Sequence, residues 1–433
     1  MSDPRKPNAK DFRVAIIGGG MCGLACAVGL ARLAGIQAEV FEAAPKFEEV
    51  GAGVGLGPNA LRALDRLGVL DAVLAQTEDA DRTARRMVFV SGLDQHEEVY
   101  DYNNSSELTP ADTGIGIYRP AFLDAVLLLV DPKTTHFNKR CTSVSSTASG
   151  AYCIHFADGT SHEADLVIGA DGIKSVLRTA VVSTEKKVLQ FTNTVAYRGL
   201  VPRETLERDG MKIDMSQRVY CFVGIDKHII AFPIRSGKII NIVAFATDNS
   251  VPAGSVEVTG PWVEPVPQQE VLDKYEGWGP DVMIMLNHLK NPSKWFIHSL
   301  TPLQTFIREK IALVGDAAHG MAPHLGSGVG QGFEDVFVLC ELLAHPSTNL
   351  SNLEDVLKAY DALRVPRANM VLERSHRAGV IYEAYGKPGY ESAGDMEGHL
   401  AGIWEPIWRH DLDADVASAI AGLQQRGAFS AAD

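Results

Sequence analysis

The chain has 433 residues, which at about 150 residues per domain suggests two to three domains. Apolar residues make up 46% and charged residues 22%, enough for a large core, and 54 acidic against 40 basic residues leave a net charge of -14. That acidic balance argues against nucleic acid as the main partner, and the absence of any apolar run near ~20 residues argues against a membrane-spanning helix.

The stretch Met1 to Lys10 is polar and carries no signal-type hydrophobic region, and Ser430 to Asp433 carries no lipidation signal. The expected address is therefore cytoplasmic. The six cysteines fit it: Cys22, Cys26, Cys141, Cys153, Cys221 and Cys340 are scattered, with no Cys-x-x-Cys pair. Cys22 and Cys26 stand four apart among apolar neighbours and are read as small core residues. No metal is expected.

In chain order, Phe12 to Ile17 reads as a buried strand, followed by Gly18-Gly19-Gly20 and a helix from Met21 to about Leu33. A second strand, Gln37 to Phe41, ends on Glu42, completing a βαβ unit. Residues 51–60 are glycine-rich, and a helix starts at Pro58-Asn59 and reaches about Leu70. The next clear strand is Asp165 to Ile168, before Gly169-Ala170-Asp171-Gly172. From about 190 the pattern changes to strands joined by turns: Val195 to Val201, Val219 to Val223, His228 to Ile234 and Lys238 to Thr247, with Ser236-Gly237 suited to a hairpin. Strand character returns at Ile311 to Val314 before Gly315-Asp316, and Asn352 to Ala362 has helical spacing that Pro366 interrupts. The fold class is α/β: a Rossmann-like nucleotide-binding domain split in sequence (10–185 and 301–380), an inserted antiparallel β-rich domain (186–300) and a helical tail (381–433).

Gly18-Gly19-Gly20-Met21-Cys22-Gly23 fits G-x-G-x-x-G. Gly18 permits the tight turn, Gly20 lets backbone approach a pyrophosphate, and Gly23 lets helix and strand pack closely. The helix N-terminus offers N–H groups to the phosphates, and Glu42 stands where a carboxylate would accept ribose hydroxyls. The motif alone does not separate FAD from NAD.

Two further blocks follow the same plan of strand, carboxylate and glycine turn. They are Asp165 to Arg178, with Asp171-Gly172, and Ile311 to His319, with Gly315-Asp316; the second runs on into the glycine-rich Pro323 to Gly332. With these three motifs in order, the sequence resembles the single-component flavoprotein aromatic hydroxylases, the para-hydroxybenzoate hydroxylase family, in particular the salicylate hydroxylases. The resemblance runs from about residue 12 to about residue 410.

It implies FAD as cofactor, NADH or NADPH and O2 as co-substrates, and attack on an electron-rich ring by a flavin hydroperoxide. Gly18, Gly20, Gly23 and Glu42 would hold the adenosine half. Gly53, Arg119, Asp171, Asp316, Gly328 and Val329 match other cofactor-binding positions of the family. Arg119 is otherwise a surface salt-bridge residue, and Asp171 otherwise a turn or helix cap. No second G-x-G-x-x-G follows a strand, so the nicotinamide cofactor would bind transiently across the surface.

A phenol must ionise to donate electrons well, so a base is needed beside its hydroxyl. Phenolate pushes density to ortho and para carbons; attack there on the carboxyl-bearing carbon releases CO2. A meta hydroxyl cannot support that attack. His228 and His324 fall where salicylate hydroxylases carry active-site histidines, and His319 is read as structural. Arg198, Arg235 and Lys238 are available for the substrate carboxylate. The bacterial salicylate hydroxylases place an arginine near the substrate where this chain has Asn249, which tilts the expectation from salicylate to 4-hydroxybenzoate. The expected function is a decarboxylating hydroxybenzoate 1-hydroxylase acting on a small aromatic acid. The alternatives are a 3-hydroxybenzoate 6-hydroxylase, which retains the carboxylate, and a non-catalytic, GDP-dissociation-inhibitor-like protein, which would purify colourless. The resemblance allows a homodimer, which the sequence does not itself demonstrate. Trp404 and Trp408, four apart, are expected in a core or interface.

Overall fold

The computed structural model describes residues 12–47, 53–76, 87–102, 114–182 and 187–430. The expectations placed on Met1 to Lys10, on the first two residues of the glycine-rich run and on Ala431 to Asp433 lie outside these. Among the described residues no helix is long and apolar enough to cross a membrane.

The first layer is a six-stranded sheet centred on Phe12–Ile17, which pairs in parallel with Ile36–Phe41 on one side and Leu166–Gly169 on the other. Leu166–Gly169 in turn pairs in parallel with Ile311–Leu313, so the two halves expected from separate parts of the sequence meet in one sheet. Val14, Ala15, Ile16 and Ile17 are all buried, as a central parallel strand covered on both faces requires. Each large side chain buried there contributes about 1.5–3 kcal/mol. Helices Met21–Ala31, Gly328–Ala344 and Leu353–Tyr382 pack into the same core.

The second layer is an eight-stranded sheet in which Leu189–Pro202, Ile239–Thr247, Lys227–Ile234 and Val219–Gly224 are antiparallel neighbours. Its far edge comes from earlier sequence: Met87–Ser91 pairs in parallel with Val219–Gly224, and Glu98–Asp101 lies beyond it. The sheet therefore does not respect a boundary near residue 186, because strands of the first segment complete it. The hairpin at Arg235-Ser236-Gly237 has positive φ at all three residues. One face of this sheet is buried under helices Arg203–Arg208, Gln268–Lys274 and Pro280–His288. The other turns towards the first layer.

Two helices differ from the sequence expectation. Pro58–Arg66 ends earlier than Leu70 because the chain turns at Gly68, where φ is +74°, and a separate helix, Leu70–Ala75, follows. Pro366 does not end the other helix, which runs 30 residues from Leu353 to Tyr382. An interior proline costs about 3 kcal/mol, but Arg364 and Arg367 flank it in buried ion pairs, and that tertiary binding outweighs the local preference.

The tail beyond 381 is helical as expected, with Ala393–Leu400, Glu405–Trp408 and Leu412–Gln425. Trp404 and Trp408 stack 5.9 Å apart in a cluster that also holds Leu325 and Tyr382.

Candidate active site

The glycine turn is built by close approach. A Cβ at Gly18, where φ is +105°, would stand 2.4 Å from the Ala170 carbonyl oxygen, and one at Gly23 would stand 1.9 Å from that of Gly18. No other residue type allows the two parallel strands and the helix to meet so tightly. Gly20 differs: a Cβ there would meet nothing within 4 Å, and the residue is exposed at the helix N-terminus. Open space over an N-terminal glycine beside buried neighbours suits a pyrophosphate. Glu42 is fixed beside it, since the amides of Gly19 and Ala44 each donate to its carboxylate at 2.7 Å. Its remaining lone pairs suit ribose hydroxyls.

Asp171 lies in the turn after the neighbouring strand. It accepts from Ser175 Oγ at 2.5 Å and from the amides of Val176 and Leu177 at 2.8 and 3.1 Å. The capping reading is thus part of its role. Arg178 ties this turn to the third motif, donating to the carbonyls of Ile173 and Ala317. Asp316 is the one exposed residue between Ile311 and Gly320.

Behind Asp316 sits a buried charge network that sequence reasoning missed. Asp335 Oδ2 accepts from the Gly315 amide at 2.8 Å and lies 2.6 Å from His319 Nε2, which gives His319 the structural place expected of it. Arg364 donates to Asp335 and Glu334, both at 2.8 Å; Arg367 also pairs with Glu334, and Asn59 joins from the helix Pro58–Arg66. Burial pushes the Glu334 carboxyl up, but the two guanidinium groups outweigh it and hold it at about 2. These residues lie on helices whose apolar spacing marks them only as core; nothing in the pattern distinguished them as partners.

Gly328 and Val329 begin the helix Gly328–Ala344, half-exposed at its N-terminus, and a Cβ at Gly326 would again meet open space. Gly53 lies on the two-stranded ribbon of Gly53–Leu56 and Ile115–Tyr118, against Phe232 of the large sheet. Arg119 follows directly as the first residue of its helix. The candidate cofactor positions thus come from the glycine turns of the parallel sheet, from the ribbon and from the N-termini of two helices.

On the large sheet, strand register decides which residues share a face. His228 pairs with Phe245 and Phe245 with Ala196; Ile230 pairs with Val243 and Val243 with Arg198. All six point to the same side. His228 is fully buried, stacks on Phe245 at 4.5 Å and lies 5.2 Å from the His324 ring. The two candidate bases, 96 residues apart in sequence, are adjacent in space. The Nε2 of His228 and the Nδ1 of His324 are both buried without a partner. Orphaned buried polar atoms on two adjacent rings call for a partner.

The loop that carries His324 is held firmly. Ser375 Oγ donates to the Ala322 carbonyl and accepts from the Leu325 amide, and Trp404 Nε1 donates to the Leu325 carbonyl. Burial, then the neighbouring His228 and His376, push His324 well below the ordinary histidine value.

Arg198 lies two strands from His228 and two residues along, about 12 Å between Cα atoms by strand spacing. Between them Ile230 and Val243 are half-exposed, an apolar floor. The Arg198 guanidinium sits 4.9 Å over Trp295 and has no carboxylate in ion-pair distance among the described residues. Burial, and then Arg119, lower its proton affinity.

Two expected substrate contacts are not brought to the histidine pair. Arg235 stands seven residues beyond His228, about 23 Å along an extended strand, exposed in the hairpin turn over Tyr118. Asn249 lies past the end of Ile239–Thr247 on an exposed turn, where its amide donates to Asp226 at 2.7 Å; Lys387 pairs with the same carboxylate. Lys238 is also exposed beside the Arg235 turn.

A split Rossmann-like sheet with a dinucleotide cradle, packed with an inserted sheet that carries a buried histidine pair, is the arrangement of an FAD-dependent aromatic monooxygenase. The comparisons agree. Residues 11–198 and 284–375 match the family described as FAD binding domain, and the chain belongs to it. The chain is 37% identical to a salicylate hydroxylase of Pseudomonas putida, over 96% of this chain and 97% of that one. It is 32% identical to a 6-methylsalicylate 1-monooxygenase of Aspergillus terreus, over 84% and 82% of the two chains. A solved salicylate hydroxylase substrate complex superposes with a TM-score of 0.83 at 31% identity, covering 95% of this chain and 98% of that one. FAD is therefore the cofactor, and the chain is an oxidoreductase similar to the salicylate hydroxylases.

Proposed function

We propose that the chain hydroxylates a hydroxybenzoate at its carboxyl-bearing carbon with release of CO2, and that 4-hydroxybenzoate, giving hydroquinone, is the preferred substrate. The observation that carries this reading is the buried pair His228 and His324, with rings 5.2 Å apart and an unsatisfied nitrogen on each. FAD, reduced by NADH or NADPH, supplies an electrophilic oxygen atom from O2.

This chain's own residues do the rest. An imidazole takes the phenol proton, so that ring density rises at the ortho and para carbons. Ile230, Val243 and Phe245 floor the ring and keep water from it. Arg198, desolvated and without a carboxylate partner among the described residues, is assigned to the substrate carboxylate.

The separation of about 12 Å between the Cα atoms of His228 and Arg198 suits a hydroxyl and carboxylate at opposite ends of a ring. Salicylate is the second reading, supported by the activities that the relatives' names state.

The test is the product of NAD(P)H-driven turnover on 4-hydroxybenzoate and on salicylate, separated by chromatography. Hydroquinone as the faster product is expected. Protocatechuate would sink the decarboxylating mechanism, and catechol formed faster from salicylate would replace the para assignment with the ortho one.

A further inference from the structure

We infer that Glu383 is a positioning residue for His228: it holds the imidazole in the tautomer whose Nε2 accepts the substrate proton, and it balances the charge that follows. This rests on the reading of His228 as a base in the proposed function.

His228 Nδ1 lies 3.0 Å from Glu383 Oε1, and the Glu383 side chain is only 6% exposed. A carboxylate acceptor on Nδ1 demands the hydrogen there, which leaves the Nε2 lone pair as the ring's free acceptor. That nitrogen is the buried one without a partner. The pair is also locked by backbone, because the Asp226 amide donates to the Glu383 carbonyl at 2.9 Å, tying the start of the strand Lys227–Ile234 to the end of the long helix. The placement is locally unfavourable. Glu383 caps the C-terminus of Leu353–Tyr382, the negative end of the helix dipole, and it is buried there. An acid in that position gains from a neighbour that becomes cationic.

His324 has the opposite surroundings. Among the described residues no carboxylate meets its Nδ1, and burial beside His228 and His376 disfavours its charged form. When two titratable groups share a site but differ this way, the environments assign the roles. His228 takes the proton and His324 stays neutral. In the step itself the phenol O–H bond breaks, the Nε2–H bond forms, the substrate becomes phenolate, and the imidazolium is balanced by the Glu383 carboxylate. Glu383 lies beyond residue 375, where the match to the family ends, so the family motifs do not mark it.

The test uses the FAD-loaded full chain and the variants Glu383→Gln and Glu383→Asp. Selective 15N labelling of histidine, with His228 assigned by its own substitution, reads the tautomer without substrate. The expected result is an Nδ1–H ring in the parent and a mixed or reversed tautomer in Glu383→Gln. In turnover, Glu383→Gln lowers kcat roughly 10- to 100-fold with a smaller change in KM, and its acid limb moves to lower pH because the imidazolium has lost its counter-charge. Glu383→Asp restores part of both. The groups facing the pair, His324, Tyr275, Cys221, Tyr382 and the Asp226–Lys387 ion pair, are unchanged in these variants, so the shift of the limb belongs to Glu383.

An unaltered tautomer with an unmoved acid limb would overturn the inference, even with a lower melting temperature, since that pattern describes a structural clamp alone. If the substrate assignment fails instead, the substrate-free tautomer and its response to Glu383→Gln still stand, which separates the two failures.

Discussion

His324 shows how a single side chain takes its chemistry from its surroundings. Its folded-state proton affinity is depressed, first by burial and then by His228 and His376. Below about pH 6.5 the unfolded chain binds a proton at this residue that the folded chain does not, so stability falls as pH falls, by up to about 1.4 kcal/mol per unit. His324→Gln removes that term. The expected outcome is a smaller loss of melting temperature between about pH 7.5 and about pH 5.5 in the variant than in the parent. Equal losses would show that His324 titrates normally. The sequence marked His324 and His228 as candidates, but their adjacency follows from the register of one strand and the path of one loop, which periodicity does not encode.

At the scale of elements, the helices Gly328–Ala344 and Leu353–Tyr382 are joined by charge at the centre of their contact. Burying Glu334, Asp335, Arg364 and Arg367 together is tolerable because each carboxylate is answered by a guanidinium. Glu334→Gln leaves two buried cations facing one acid, and a loss of about 3–5 kcal/mol is expected from denaturant unfolding. The parent owes part of its stability to the ionised Glu334, whose carboxyl is held at about 2. That part is present above the ordinary glutamate range and is lost as pH falls towards about 2. A loss under about 1 kcal/mol in the variant would mean that the network contributes packing alone. The same network explains why Pro366 failed as a helix stop. Local preference near Pro366 was legible in the sequence, and the partners that overrode it were on another helix.

For the whole molecule, the two layers share chain. Strands Met87–Ser91 and Glu98–Asp101 precede the inserted segment yet complete its sheet, and the long helix is bonded to the helix Gly328–Ala344 at Arg364 and to the large sheet at Glu383. Lys174, in the Asp171 turn, lies 3.9 Å over Trp262 of the inserted segment. Such interleaving predicts one cooperative thermal transition for both layers. FAD adds to it by mass action, about 2.7 kcal/mol at a hundredfold excess over its dissociation constant. Calorimetry with and without flavin checks this: a single transition that moves down on stripping is expected, and two separated transitions would refute the shared unit.

What the sequence by itself determined is the part written in short-range rules. Glycines stand where backbones touch, acids end parallel strands, apolar runs form the central sheet, and alternation with turns marks the inserted one. These follow from sterics and hydrophobic periodicity within a few residues, and they sufficed for a dinucleotide-binding sheet; the choice of FAD and the two candidate histidines came from the family resemblance. Tertiary structure alone decided which groups meet. Glu383 reaches His228 across 155 residues, Arg198 is left without a carboxylate among the described residues, Asn249 turns to Asp226, and Arg235 is carried to the far end of the strand. The physical reason is that burial, pairing and charge compensation act through space, so their partners are chosen by sheet register and helix packing rather than by spacing along the chain.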